Sequence, residues 1–296
     1  MKTKFTISFL YLLLVSFGFC NAQNGNHISK YNKLIDSLIK VNKFNDKVLL
    51  ITFGADAITA INTKNGIVLV DAGVSTGLTT KYREIIENQF QSKKFSYLLN
   101  THGHLDHCGG NSVFSGAKIV GNYNCINEIN EQLKNPEMII SKLKKITDEY
   151  DSKMDKAELY SEEWYEYFTQ KIRYLTALND LENSSQIKLP DSTFKDTLNI
   201  DMGDITFNLL FFGKCHSESD ILIYSPENKI LFTGDLFSNY GRPSINENST
   251  TDKEKWQKGA TWIEKRLENI ELIIGGHGQI FDKSDLKSFI TSIREK

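Results

Sequence analysis

Apolar residues recur along this chain at two spacings, one of about two residues and one of three to four, and the two alternate in blocks. Tyr31, Leu34, Ile35, Leu38 and Ile39 fall at helical intervals and predict an amphipathic helix within residues 28–44. Short runs rich in β-branched and aromatic residues follow at 48–53, 58–62 and 67–70, with Asn65-Gly66 as a hairpin-turn signal between the last two. A helix fits 79–90 through Tyr82, Ile85, Ile86 and Phe90. A buried strand fits 95–99, and a short one 118–120.

Residues 122–185 read differently: charged, nearly free of glycine, and helical in period. Two or three helices are predicted, broken near Pro136, with Trp164, Phe168, Ile172 and Leu175 on one stripe. The stripe must face the body of the protein, whether this insert is a solvated decoration or a lid. Strand patterns return at 197–200, 205–212, 221–224 and 230–232, with turns at Met202-Gly203-Asp204 and at 226–228. A helix through Trp256, Ala260, Ile263 and Leu267 is expected at 252–269, then a strand at 271–274 and a closing helix at 284–294. Two similar halves, each a sheet with helices outside, predict one domain of the α/β class built as a four-layer αββα sandwich.

The first residues stand apart from that pattern. Lys2 and Lys4 precede an apolar run over 5–19 and then Cys20-Asn21-Ala22, the three-part layout of a secretory signal peptide. Cleavage after Ala22 would leave 23–296 as the mature domain in a periplasmic or secreted setting. The run is shorter than the roughly 20 residues of a spanning helix, so no stable membrane insertion is expected after cleavage. Phe19 is too bulky for the small residue that lipidation at Cys20 would want before it. Cys108, Cys125 and Cys215 are too few and too scattered for a disulfide framework and read as buried apolar side chains. Hydrophobic residues at 40%, charged residues at 24% and a net charge of −2 describe a globular protein. They leave no basic surplus for a nucleic-acid backbone, so a small molecule is the expected partner.

The strand at 95–99 runs into Asn100-Thr101-His102-Gly103-His104-Leu105-Asp106-His107. Three histidines and an aspartate directly after a buried strand are costly to bury without partners. A divalent metal removes that cost, because imidazole nitrogen and carboxylate oxygen suit zinc. The chain has six histidines, so a cluster this dense is not a feature of composition. The other motif residues follow strands too: His216 after 205–212, Asp235 in Thr233-Gly234-Asp235 after 230–232, and His277 in Gly275-Gly276-His277-Gly278 after 271–274. Singly, each is as well read as a structural residue. Together they form a set that strand ends could bring to one place.

The order THGHLDH, LFTGD and GGHG, with LVDAG at 69–73, resembles the metallo-β-lactamase superfamily over about 48–121 and 187–281. That resemblance implies an αββα fold with the metal site at one edge of the sheets. It implies that His102, His104 and His216 hold a first zinc, that Asp106, His107 and His277 hold a second, and that Asp235 bridges them. Asp71 matches the family's buried aspartate, which supports the site from behind the ligands. The implied activity is zinc-dependent hydrolysis, with a hydroxide shared by two zinc ions attacking a carbonyl-type substrate such as a lactam, lactone, ester or thioester. Asp106 would orient or shuttle the proton.

Departures from the subfamily patterns prune the substrate. Many β-lactamases of this fold carry cysteine where this chain has Asp235, and lysine where it has Ser238. The added domains of the glyoxalase II and flavodiiron relatives are not expected here. Tyr240 and Arg242, after the aspartate, are candidate substrate contacts, Arg242 for an anionic group. Three alternatives stay open: a true class B β-lactamase, an iron-dependent oxidoreductase like the persulfide dioxygenases, and a non-catalytic metal-binding accessory protein.

Overall fold

The computed structural model describes residues 28–183, 186–236 and 252–295. The expected signal segment, Tyr240 and Arg242 lie outside these residues. The described chain forms two sheets face to face with helices on both outer sides, the predicted αββα order.

Helix α1 (Asn32–Leu38) leads into β1 (Lys40–Lys43), β2 (Val48–Phe53), β3 (Asp56–Thr63) and β4 (Gly66–Val70). Helix α2 (Thr76–Phe90), β5 (Phe95–Leu99), the one-turn α3 (Leu105–Cys108) and β6 (Lys118–Asn122) follow. Then come α4 (Tyr123–Leu133), α5 (Pro136–Met154), α6 (Glu162–Glu182) and β7 (Ser192–Phe194). Strands β1 to β7 form the first sheet in chain order, antiparallel as far as β4 and parallel from β4 to β7. The second sheet takes β8 (Thr197–Asp201), β9 (Thr206–Phe211), β10 (Ile221–Ser225), β11 (Ile230–Gly234), β12 (Leu272–Gly275) and β13 (Ile280–Phe281). Helix α7 (Lys253–Glu264) joins β11 to the parallel β12, and α8 (Lys283–Glu295) closes the described chain.

Alternation along the strands separates three cores. Val48 and Leu50 of β2 meet Phe207, Leu209, Ile221, Ile223 and Phe232 between the sheets. Ile51 and Phe53, on the opposite face of β2, pack with Tyr82, Ile86, Phe168 and Ile172 under the first helical layer. Leu210, Leu222 and Leu231 point the other way from the second sheet, onto Trp256, Ile263, Phe289 and Ile293 of α7 and α8. This period of two is what a strand covered on both faces requires.

Expectations change at two helices. The one expected at 252–269 ends at Glu264, before Leu267. The helix expected within 28–44 stops at Leu38, and residues 40–43 pair with β2 as an exposed edge strand (Lys40↔Thr52, Asn42↔Leu50). Only Val41 is apolar in that stretch, so nothing draws it to the helix face, and the free edge of β2 takes its backbone groups. The insert holds three helices, with Pro136 in the first turn of α5 behind its Asn135 cap. Its α6 packs into the body of the protein. Trp164, Phe168 and Ile172 are buried on the first sheet with Leu175 packed beside them. Thr176 and Asp180 bond Ser75 and Thr76 at the start of α2. The insert thus contributes to an outer layer through α6.

Candidate metal centre

Parallel strands β4 and β5 end side by side, and the chain turns there to build the site. Asp71 follows β4 with a positive φ of 60°, and its carboxylate accepts Thr101 N and Thr101 Oγ1 at 2.8 Å each. That fixes the strand end from which His102 projects. His104 then caps α3, whose single turn presents Asp106 and His107, and Ala72 N bonds back to His107 O at 2.8 Å. His216 sits in the loop after β9. The buried Asp220 shapes that loop, accepting Cys215 N (3.1 Å), Ser217 N (2.7 Å) and Ser217 Oγ (2.8 Å). Asp235 follows β11, and His277 follows β12 with Nδ1 at 2.7 Å from Ala55 O. A Cβ on Gly276 would collide with Asp235 Oδ1 and His107 Cε1, so only glycine lets these loops close together there.

Seven side chains from four strand ends therefore meet. His102 Nε2 and His216 Nε2 face His104 Nδ1 at 3.1 and 3.2 Å. His107 Nε2 and His277 Nε2 lie 3.9 and 3.8 Å from Asp106 Oδ2. Asp235 stands between these groups, with Oδ1 3.4 Å from His107 Nε2 and Oδ2 3.1 Å from His277 Nε2 and 3.6 Å from His216 Nε2. Three triplets have the geometry to hold a metal ion: His102–His104–His216, Asp106–His107–His277, and His102–His107–Asp235 across the middle. Behind them Asp71 Oδ2 holds His107 Nδ1 at 3.0 Å.

The electrostatics are those of histidines and carboxylates packed against one another. Burial, with the neighbouring His107, holds His102 well below its ordinary value. Burial also opposes charge on His107, but Asp235, Asp106 and Asp71 outweigh it and hold that imidazole well above its ordinary value. Burial alone would raise Asp235, yet His107, His277 and His102 hold its carboxyl far below the usual carboxylate range. His107 Nε2 and Asp235 Oδ1 are buried and have no hydrogen-bond partner. Such atoms are expensive to leave unpaired, and both belong to groups that ligate zinc. The donor set fits a metal.

Sequence reasoning leaves out three neighbours. Arg173 of α6 is buried, with a guanidinium nitrogen 3.8 Å from Asp106 Oδ2. Glu128 of α4 accepts Gly103 N at 3.0 Å. Asp220 is the third, and burial pushes its carboxyl up to about 7 against the donors it accepts. A charged residue on a helix ordinarily faces water, so pattern alone does not mark Arg173 or Glu128. The cysteines behave as read: Cys108 and Cys125 are buried beside Ile129, and burial pushes the Cys108 and Cys215 thiols up.

Comparison with known proteins bears on this geometry. The family model described as "Metallo-beta-lactamase superfamily" matches residues 51–277. The chain is similar to the "Metallo-beta-lactamase type 2" of Bacillus sp. (strain 170), 24% identical over 223 residues, which cover 75% of this chain and 66% of that relative. It thus spans about two thirds of the length of that curated relative. Among solved structures, the "Metallo-beta-lactamase from Pontibacter korlensis" has a TM-score of 0.55 at 19% identity, covering 87% of this chain and 100% of that one. The stereoselective inverting sec-alkylsulfatase Pisa1 from Pseudomonas sp. has a TM-score of 0.60 at 14% identity, covering 87% and 41%. Likeness at these identities is one of fold.

Proposed function

This chain belongs to the metallo-β-lactamase superfamily, and from that premise we propose that it is a zinc-dependent hydrolase acting on a carbonyl-type small molecule. The observation that carries the reading is the convergence of seven ligand-type side chains, two of whose buried atoms, His107 Nε2 and Asp235 Oδ1, face each other at 3.4 Å without a hydrogen bond. His102, His104 and His216 would hold one ion, Asp106, His107 and His277 a second, with Asp235 between them. Bound there, such ions supply a water of lowered pKa and an electrophile for a developing oxyanion. The protein's own part is to hold the ligands in place and to move a proton. Asp106 is the group for the latter, since its side chain is 37% exposed while the His107 beside it is buried. Asp71 fixes which nitrogen of His107 faces the site. The apolar run over 5–19 supports an exported protein, periplasmic or secreted.

A second reading, a true β-lactamase, has the names of the Bacillus and Pontibacter relatives in its favour. Asp235 and Ser238, in place of the cysteine and lysine of many such enzymes, weigh toward the general hydrolase. The zinc-loaded protein, screened against nitrocefin, lactones, carboxylic esters and thioesters with and without chelator, separates the two. Chelator-sensitive turnover of lactone, ester or thioester supports the proposal. Turnover of nitrocefin alone supports the second reading, and no metal-dependent turnover of any class counts against both.

A further inference from the structure

Helix α4 carries a polar stripe, Asn124, Glu128 and Gln132, alongside its buried Cys125 and Ile129. All three side chains are spent on the two loops that bear His102, His104 and His216. Glu128 Oε2 accepts Gly103 N at 3.0 Å and the Ser219 hydroxyl, and Oε1 accepts Glu218 N at 3.2 Å. Gln132 Nε2 donates to Gly103 O at 2.7 Å, and Asn124 Nδ2 donates to Glu218 O at 2.8 Å. Gly103 N also reaches Ser219 Oγ at 2.9 Å, so the two loops meet on the Glu128 carboxylate. A Cβ on Gly103 would press on Glu128 Oε2 and Cys125 O at 2.8 and 2.9 Å, which explains glycine between the two histidines.

The same carboxylate faces His104 from behind. His104 Nδ1 points at His102 and His216, while its Nε2 lies 3.6 Å from Glu128 Oε1. A carboxylate on that side favours the tautomer with the proton on Nε2 and leaves the Nδ1 lone pair directed into the triplet. Glu128 is largely buried, with a side chain 8% exposed, so its placement is structural and not a chance surface contact.

We propose that Glu128 is the positioning residue of the His102–His104–His216 group: it clamps the two ligand loops together and sets the His104 tautomer. This rests on the reading of that triplet as a metal-binding group. It gives the first helix of the insert a task in the site that no ligand motif reveals. Glu128→Gln is the sharpest variant, because its amide oxygen can still accept Gly103 N and the Ser219 hydroxyl. Its NH2 then falls on the Oε1 side, where Glu218 N and His104 Nε2 need an acceptor.

The full chain with 15N-labelled histidine is titrated with zinc against a competing chelator, and imidazole NMR assigns each equivalent to its rings. Glu128→Gln should bind zinc about tenfold to a hundredfold more weakly at His102, His104 and His216, with the Asp106–His107–His277 equivalent unchanged. In the metal-free protein the His104 ring should shift from the Nε2–H form toward a mixture. Unchanged affinity with an unchanged tautomer overturns the proposal, and so does equal weakening of both equivalents. Gln132→Ala, which keeps the carboxylate, should weaken the same equivalent by a smaller factor and serves if Glu128→Gln does not fold. If the wild-type protein binds no zinc, the metal reading itself falls, and the His104 tautomer in the metal-free variant alone decides the role of Glu128.

Discussion

Asp71 Oδ2 lies 3.0 Å from His107 Nδ1 while the same carboxylate accepts both the backbone N and the hydroxyl of Thr101. One buried aspartate at the end of β4 therefore ties together the end of β5 and the histidine that faces Asp235. Replacing it strands three buried donors. Asp71→Ala should lower unfolding stability by about 3 kcal/mol. Asp71→Asn should cost less, yet weaken zinc binding at Asp106–His107–His277 by about tenfold or more. Denaturant unfolding alongside metal titration of the two variants checks both.

Asp106 tests chemistry with little change in fold. Its side chain is more than a third exposed, so Asp106→Asn should unfold close to the wild-type midpoint. Turnover of the best substrate from the screen should fall by about two orders of magnitude or more. Near-wild-type hydrolysis by this variant removes the assignment of the proton-handling role.

The place of α6 in the fold has its own consequence. Phe168 is fully buried, stacked on Trp164 with centroids 5.3 Å apart and meeting Tyr31 edge-on. Phe168→Ala should destabilise by about 3–5 kcal/mol. A lid that only covered the site would lose activity and little stability, so chemical denaturation distinguishes the two.

Asp220 makes stability depend on pH. Burial raises its folded-state pKa from 3.8 to about 7, so the folded protein binds this proton more tightly than the unfolded chain does. The sign follows: the stability linked to this group is present in full below 3.8 and is lost as pH climbs through about 7. Asp220→Asn keeps an acceptor for the two backbone N–H groups and does not ionise. The stability of the metal-free wild type relative to this variant should therefore fall between about pH 4 and pH 7. A difference that is flat with pH contradicts the assignment.

The candidate ligand set is legible in the sequence because histidine is scarce here, each motif residue follows a strand, and the order of the motifs resembles that of a known family. The sandwich is legible for a related reason: β2, β9, β10 and β11 are short apolar, β-branched-rich runs bounded by turns, and each faces two cores. What stays hidden depends on tertiary partners. β1 has one apolar residue and exists because β2 offers an open edge. β7 and β13, at three and two residues, are too short to carry a period. Arg173 and Glu128 look like ordinary solvated charges until α6 and α4 turn them inward. The polar spacing of Asn124, Glu128 and Gln132 is the one local sign, and it acquires meaning only once the loops of His102 and His216 are set against that face.

Metal content measured together with turnover tests the central claim most directly. Protein stripped by chelator, dialysed and reloaded should take up about two zinc ions per chain, and hydrolysis of lactone, ester or thioester should return with the second. His107→Ala, which removes one ligand and the group facing Asp235, should hold about one ion and lose that activity. A chain that binds no zinc, or one that hydrolyses equally well after the metal is removed, would contradict it.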